Sequence, residues 1–338
     1  MTGRIFSLAF FILLLSGRVS SAQPDFAVIN RGIELTISEQ YDSALHVFNA
    51  LINQEPEHPA GYFLTAALWQ SKMMDFETGQ WENEFYHNID KAIALAKLYL
   101  EKNPADAFAH FYLGGAMSYK SFQLARNKKY IPAISMALKS ISSLNKTIEL
   151  DSTICDSYLG VGSYLYWRSK ITQKIAWLPF FSDQRKEGIA DLLQARDCGR
   201  FSKWAALSNL AWIYIEEKEY EKALQISRDG LNKFPGSRFF MWPLGEAQLK
   251  SEKWPEAIVT YNNLLVSVQK ETINNHYNEI VIYLKLAKCY RASHKNEQAF
   301  NACQQVINIE PAAEVMDRAK EKKQEAIKLL SEINRENQ

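Results

Sequence analysis

Residues 210–235 read LAWIYIEEKEYEKALQISRDGLNKFP, and this stretch decides the fold. Small Ala211 sits among large Leu210, Trp212 and Tyr214; twelve residues later Ala223 follows Tyr220, and twelve beyond that stands Pro235. Two antiparallel helices approach closely only where facing residues lack bulk, so Ala211 on a first helix is expected to meet Ala223 on a second. Proline ends the second helix because it lacks the donor needed to continue it.

Working outward, the same triplet recurs as Gly32, Ala44 and Pro56, with Phe48 one helical turn beyond Ala44, and as Ala287, Ala299 and Pro311. Gly245 and Ala257 repeat it in part, with Gln269 where proline would stand. Between these units the markers persist at longer spacing. Pro56 places Ala66, Pro104 places Gly114 and Ser152 places Gly162, but the second-helix partners Ala92 and Ser140 come 26 residues after their first-helix partners instead of twelve. Lengthened helices or an inserted turn would absorb the fourteen-residue excess. The fourth unit departs furthest: its connection holds Trp177-Leu-Pro-Phe-Phe181, and no clean small residue stands at the expected place, although Gly188 is near it. An insertion of eight residues around Gln269 to Asn274 precedes the seventh unit.

The segments Leu210-Ala-Trp-Ile-Tyr214, Tyr220-Glu-Lys-Ala223 and Pro235 resemble the tetratricopeptide repeat, whose period is about 34 residues. The resemblance implies an all-α fold: helix-turn-helix units stacked as a solenoid, a right-handed superhelix with first helices lining the concave face. About seven such units are expected over 23–311, the second to fourth lengthened. Residues 312–338 are expected to form a capping helix and tail, with Met316, Ala319, Ala326, Ile327, Leu330 and Ile333 near helical period.

Residues 1–22 read as a cleaved signal peptide: Arg4, an apolar run from Ile5 to Leu15, then Ser20-Ser21-Ala22. The run is shorter than the ~20 residues that span a bilayer, and no other segment is apolar enough, so no transmembrane segment is expected in the mature chain. No cysteine follows it to carry a lipid. An exported, periplasmic or secreted protein is expected, in the manner of repeat subunits associated with the outer membrane. Charge is balanced at 39 basic against 38 acidic residues, which argues against nucleic acid as a partner.

Residues with chemistry are few and scattered. The six histidines, His46, His58, His87, His110, His276 and His294, form no paired ligand motif. Glu84-x-x-His87 has the spacing of one half of a di-iron site, but the second half is missing. Cys155, Cys198, Cys289 and Cys303 include no C-x-x-C pair, so neither metal nor cofactor is expected. Cys155 and Cys198 open and close the fourth helix pair, which makes them a candidate disulfide. With no phosphate loop or nucleophile elbow, the chain does not read as an enzyme.

Inward positions of the first helices carry Phe63, Phe108, Phe111, Tyr119, Tyr166, Trp167, Trp212, Phe239 and Trp242. An aromatic groove of this kind suits an apolar peptide or a partner helix, so the expected function is a protein-binding adaptor or assembly scaffold. The alternative is a carrier holding a small apolar ligand or lipid in the concavity. Both depend on whether the rings are open or covered by the insertions of units two to four.

Overall fold

The computed structural model describes residues 23–172 and 182–336. The signal-like segment 1–22 and the Trp177–Phe181 stretch lie outside the described residues. Among those described there are fifteen α-helices and no strand. They run as consecutive antiparallel pairs: α1 (Phe26–Ile37) with α2 (Tyr41–Gln54), α3 (Pro59–Asp75) with α4 (Glu82–Lys102), and α5 (Ala107–Arg126) with α6 (Tyr130–Leu150). Next come α7 (Ser157–Thr172) with α8 (Arg185–Cys198), α9 (Lys203–Glu216) with α10 (Tyr220–Lys233), and α11 (Arg238–Lys250) with α12 (Trp254–Gln269). The last pair is α13 (Tyr277–Ala292) with α14 (Asn296–Asn308), and a 3-10 turn at Ala313–Val315 leads into α15 (Met316–Glu336). The fourteen-residue excess is taken up mainly by longer helices: α4 and α6 each have 21 residues, against 14 in α10.

Small-residue contacts hold each pair together. Ala44, Ala66, Ala92, Ala211, Ala223, Ala257, Ala287 and Ala299 are all fully buried. Where the first-helix residue is glycine, its neighbour is a large side chain one turn beyond the small partner. A Cβ at Gly32 would come within 2.2 Å of the Phe48 ring, one at Gly114 within 2.7 Å of Leu144, and one at Gly245 within 2.9 Å of the Tyr261 ring. Glycine thus admits a large ring or branched chain, each worth about 2–3 kcal/mol when buried. In the fourth pair the contact is backbone on backbone. A Cβ at Gly162 would lie 2.6 Å from the Gly188 carbonyl oxygen, and one at Gly188 would lie 2.7 Å from the Gly162 carbonyl. Gly188 follows Gly162 by 26 residues, so the fourth unit keeps the long spacing of the second and third.

The hairpin turns share one geometry. Glu39, Glu77, Lys128, Lys218, Glu252 and His294 all adopt left-handed backbone with φ between 54° and 62°. The next amide reaches back to the carbonyl five residues earlier, as in Gln40 to Leu35 and Lys253 to Gln248, both 2.9 Å. This closes the first helix and reverses the chain.

Each of the first five first helices touches the following one, while neighbouring second helices make no comparable contact among the described residues. The array therefore curves with first helices inside. α15 lies along α13 and α14 and caps the last pair, with Lys288 bonded to Glu325 at 2.9 Å.

Curvature brings the two ends of the array together. The turn edge of the first two pairs sits on the linker edge of the last three. Ile37 packs with Phe234 and Phe240, and the Ser237 hydroxyl donates to the Ile37 carbonyl at 2.6 Å. Asn275 Nδ2 donates to the carbonyls of Phe76 and Glu77, both at 3.1 Å, and Asn278 donates to that of Asp75 at 2.7 Å. Arg318 pairs with Glu77 at 2.7 Å. The loop after α12, the insertion noted in the sequence, supplies several of these contacts.

Candidate functional site

The nine inward aromatic residues divide into two groups. In units two and three, Phe63 and Phe111 are buried and Phe108 and Tyr119 are half-buried. Phe63 stands edge-on to Tyr119 at 5.5 Å and to Phe111 at 6.3 Å. Part of their cover comes from elsewhere in the chain. Phe201, in the linker between α8 and α9, packs on Phe111 at 5.4 Å and on Phe26 at 6.2 Å, and Phe26 of α1 packs on Phe108 at 6.3 Å. Asp156 fixes that linker by accepting from the amides of Arg200, Phe201 and Ser202 at 2.8–3.0 Å. Phe63 and Phe111 are therefore interior residues: the α5 rings pack on Phe63, and Phe201 joins them over Phe111. Tyr166 is also fully buried, with its hydroxyl on Glu217 at 2.7 Å.

The second group lies on α7, α9 and α11. Trp212 and Phe239 are each 37% exposed, while Trp167 and Trp242 are half-buried. Trp167 donates through Nε1 to Asn209 at 3.4 Å, linking α7 to α9. Polar pairs border the strip: Lys170 with Glu216 at 3.5 Å, and Lys285 with Glu246 at 2.6 Å. The result is a set of partly open aromatic residues on three successive first helices, with ion pairs of both charges on the same helices and α13.

Titratable groups elsewhere are explained by structure. Nδ1 of His58 caps α3 by accepting from the Ala60 amide at 3.2 Å, and burial lowers its pKa to about 4. Glu84 and His87 are both exposed on α4. Among the described residues no group of three or more His, Cys, Asp or Glu is placed to hold a metal ion. Cys155 and Cys198 are joined, with their Cα atoms 5.6 Å apart. Cys289 and Cys303 are buried thiols whose pKa values burial raises to about 12 and about 11.

The most strongly coupled charges lie at the seam, where sequence reading placed nothing. Arg238, with a side chain 5% exposed, forks onto Asp75 at 2.5 and 2.8 Å and reaches Glu271 at 2.6 Å. The Tyr41 hydroxyl also donates to Asp75, at 2.9 Å. Glu39 accepts from the Ser237 hydroxyl at 3.2 Å and the Phe239 amide at 3.3 Å. Burial, and then the charge of Asp75, lift the Glu39 pKa to about 7. Burial opposes the charge on Arg238, but its hydrogen bonds and its three carboxylates outweigh that cost and hold it ionised. The only sequence signals were the loop insertion and an arginine opening a first helix, and neither names a partner far away in the chain.

No protein-family model matches this sequence, and no curated protein matches it. Solved structures with a similar course include PilW, a widely conserved type IV pilus biogenesis factor, at 13% identity and TM-score 0.49, covering 75% of this chain and 97% of that one. Human IFIT1 bound to m7Gppp-AAAA gives 13% identity and TM-score 0.46 over 92% of this chain and 81% of that one. Yeast Tom70 gives 14% and 0.39 over 90% and 77%. These superpositions are too loose to carry an argument about function, and the fold is read from this chain's own geometry: a tetratricopeptide-like solenoid of paired helices.

Proposed function

We propose that the protein is a non-catalytic adaptor or assembly scaffold that binds a protein partner, acting in the cell envelope or secreted space. The observation that carries this reading is the aromatic strip on α7, α9 and α11, where Trp212 and Phe239 keep 37% of their surface in water. Large aromatic residues left half open on a curved, rigid array are the usual anchors of protein recognition. Export rests on the composition of residues 1–22. The carrier alternative needs an aromatic cavity, and Phe63, Phe111 and Tyr119 fill that space with one another.

A photo-crosslinking residue at position 212 or 239, in the full chain expressed in its own cells, tests the scaffold reading. A discrete protein adduct is expected there and not from position 259, whose valine is 60% exposed on the outer helix α12. No adduct, or the same adducts from all three positions, would overturn it.

A further inference from the structure

The chain is nearly neutral overall, but its charges are unevenly distributed. Residues 107–148, which span α5 and nearly all of α6, contain no Asp or Glu and carry Lys120, Arg126, Lys128, Lys129, Lys139 and Lys146. Lys128, Lys129 and Lys139 make no ion pair among the described residues. Beside them α6 shows an apolar stripe to water: Tyr130 is 62% exposed, Ile131 84%, Ile134 62% and Leu138 56%. Ile131, Ile134 and Leu138 are spaced i, i+3, i+7, so they share one face, with Ser135 between them. The opposite face of α6, with Ala133, Ser140 and Leu144, is already committed to α5.

We propose that the α5–α6 hairpin docks on a bilayer bearing anionic phospholipid, with the stripe dipping into the headgroup region and the lysines at the phosphates. Three aliphatic side chains and a tyrosine beside unpaired Lys128, Lys129 and Lys139, on a helix whose one carboxylate, Glu149, lies in its last turn away from the stripe, form the pattern of an interfacial helix. Residues 107–148 carry six basic side chains and no acidic one, a charge of one sign that complements anionic headgroups. The same helix also lines a groove of about 520 Å³ formed by α4, α5 and α6. Its floor is Ile93, Met117 and Met136, and its rim holds Lys97 and Lys139 beside Lys120, which is paired with Asp90, an arrangement that suits an anionic amphiphile. This inference is independent of the aromatic strip, which lies on other helices.

The test labels Ser135→Cys in the full chain with an environment-sensitive dye and adds vesicles of phosphatidylcholine with or without phosphatidylglycerol. A blue shift is expected with phosphatidylglycerol only, weakening at least tenfold in apparent affinity on raising salt from 50 to ~500 mM. The double variant Lys128→Glu, Lys129→Glu should weaken it by a similar factor. Replacing Ile131, Ile134 and Leu138 by serine in the labelled chain should abolish it without lowering Tm, because these side chains are already exposed. A dye that stays in water while the protein is vesicle-bound would overturn the proposal. So would a dye shift that appears without vesicles and tracks dimer formation, which would assign the stripe to a second copy.

Discussion

The contacts within each helix pair and the contacts at the seam are built from opposite materials. Within a pair, neutral small residues let backbones approach, and the partners lie 12 or 26 residues apart. At the seam, charged and amide side chains join segments far apart in the chain: Arg238 and Asp75 are separated by 163 residues, and Asn278 and Asp75 by 203. Pair contacts are apolar, local and repeated; the seam has one apolar cluster, Ile37 with Phe234 and Phe240, and is otherwise polar, distant and present once. A nearest-neighbour solenoid needs only the first kind. The second kind converts this array from an open spring into one whose first two units are pinned to its last three.

Four experiments break or sharpen that contrast, from the largest effect to the smallest. Arg238→Ala leaves Asp75 partly buried without its cation, a loss of about 3–5 kcal/mol. Small-angle scattering should show a larger radius of gyration while circular dichroism stays helical. An unchanged radius would mean that the seam does not hold the ends. Gly162→Ala acts on the pair contact instead, forcing a methyl against the Gly188 carbonyl. It should cost about 1–3 kcal/mol in chemical denaturation with no early opening of the seam.

The third experiment reads pH. The Glu39 pKa stands at about 7 when folded against an ordinary 4.5, so between these values the folded chain keeps a proton that the unfolded chain has released. Stability should therefore fall as pH rises from about 4.5 to about 7, by up to about 3 kcal/mol from this residue. Glu39→Gln should flatten that slope in a series of Tm measurements; an identical slope would remove Glu39 from the account. The fourth effect is small and positive. Lys218→Gly relieves a left-handed backbone, φ 62°, and should raise stability by about 0.5–1 kcal/mol. The same change at exposed helical Lys222 should lower it by a similar amount.

The aromatic residues show where sequence reading stopped. Their inward register followed from first-helix periodicity, and Trp212, Trp242 and Phe239 remain at least partly open. Phe63 and Phe111 have the same kind of register but are buried: the α5 rings close over Phe63, and Phe201 arrives from a distant part of the chain to pack on Phe111. The apolar stripe on α6 was legible as residues but not as a surface, since periodicity does not reveal how far a lengthened helix extends past its neighbours.

The sequence by itself determined the paired helices, their small-residue contacts and their order, because each depends on residues close in the chain that repeat with the unit. Only the tertiary structure decided which rings are covered and that the ends meet. Small rotations at every stacked pair accumulate along the array, and where the first unit lands on the last is a property of their sum rather than of any one repeat.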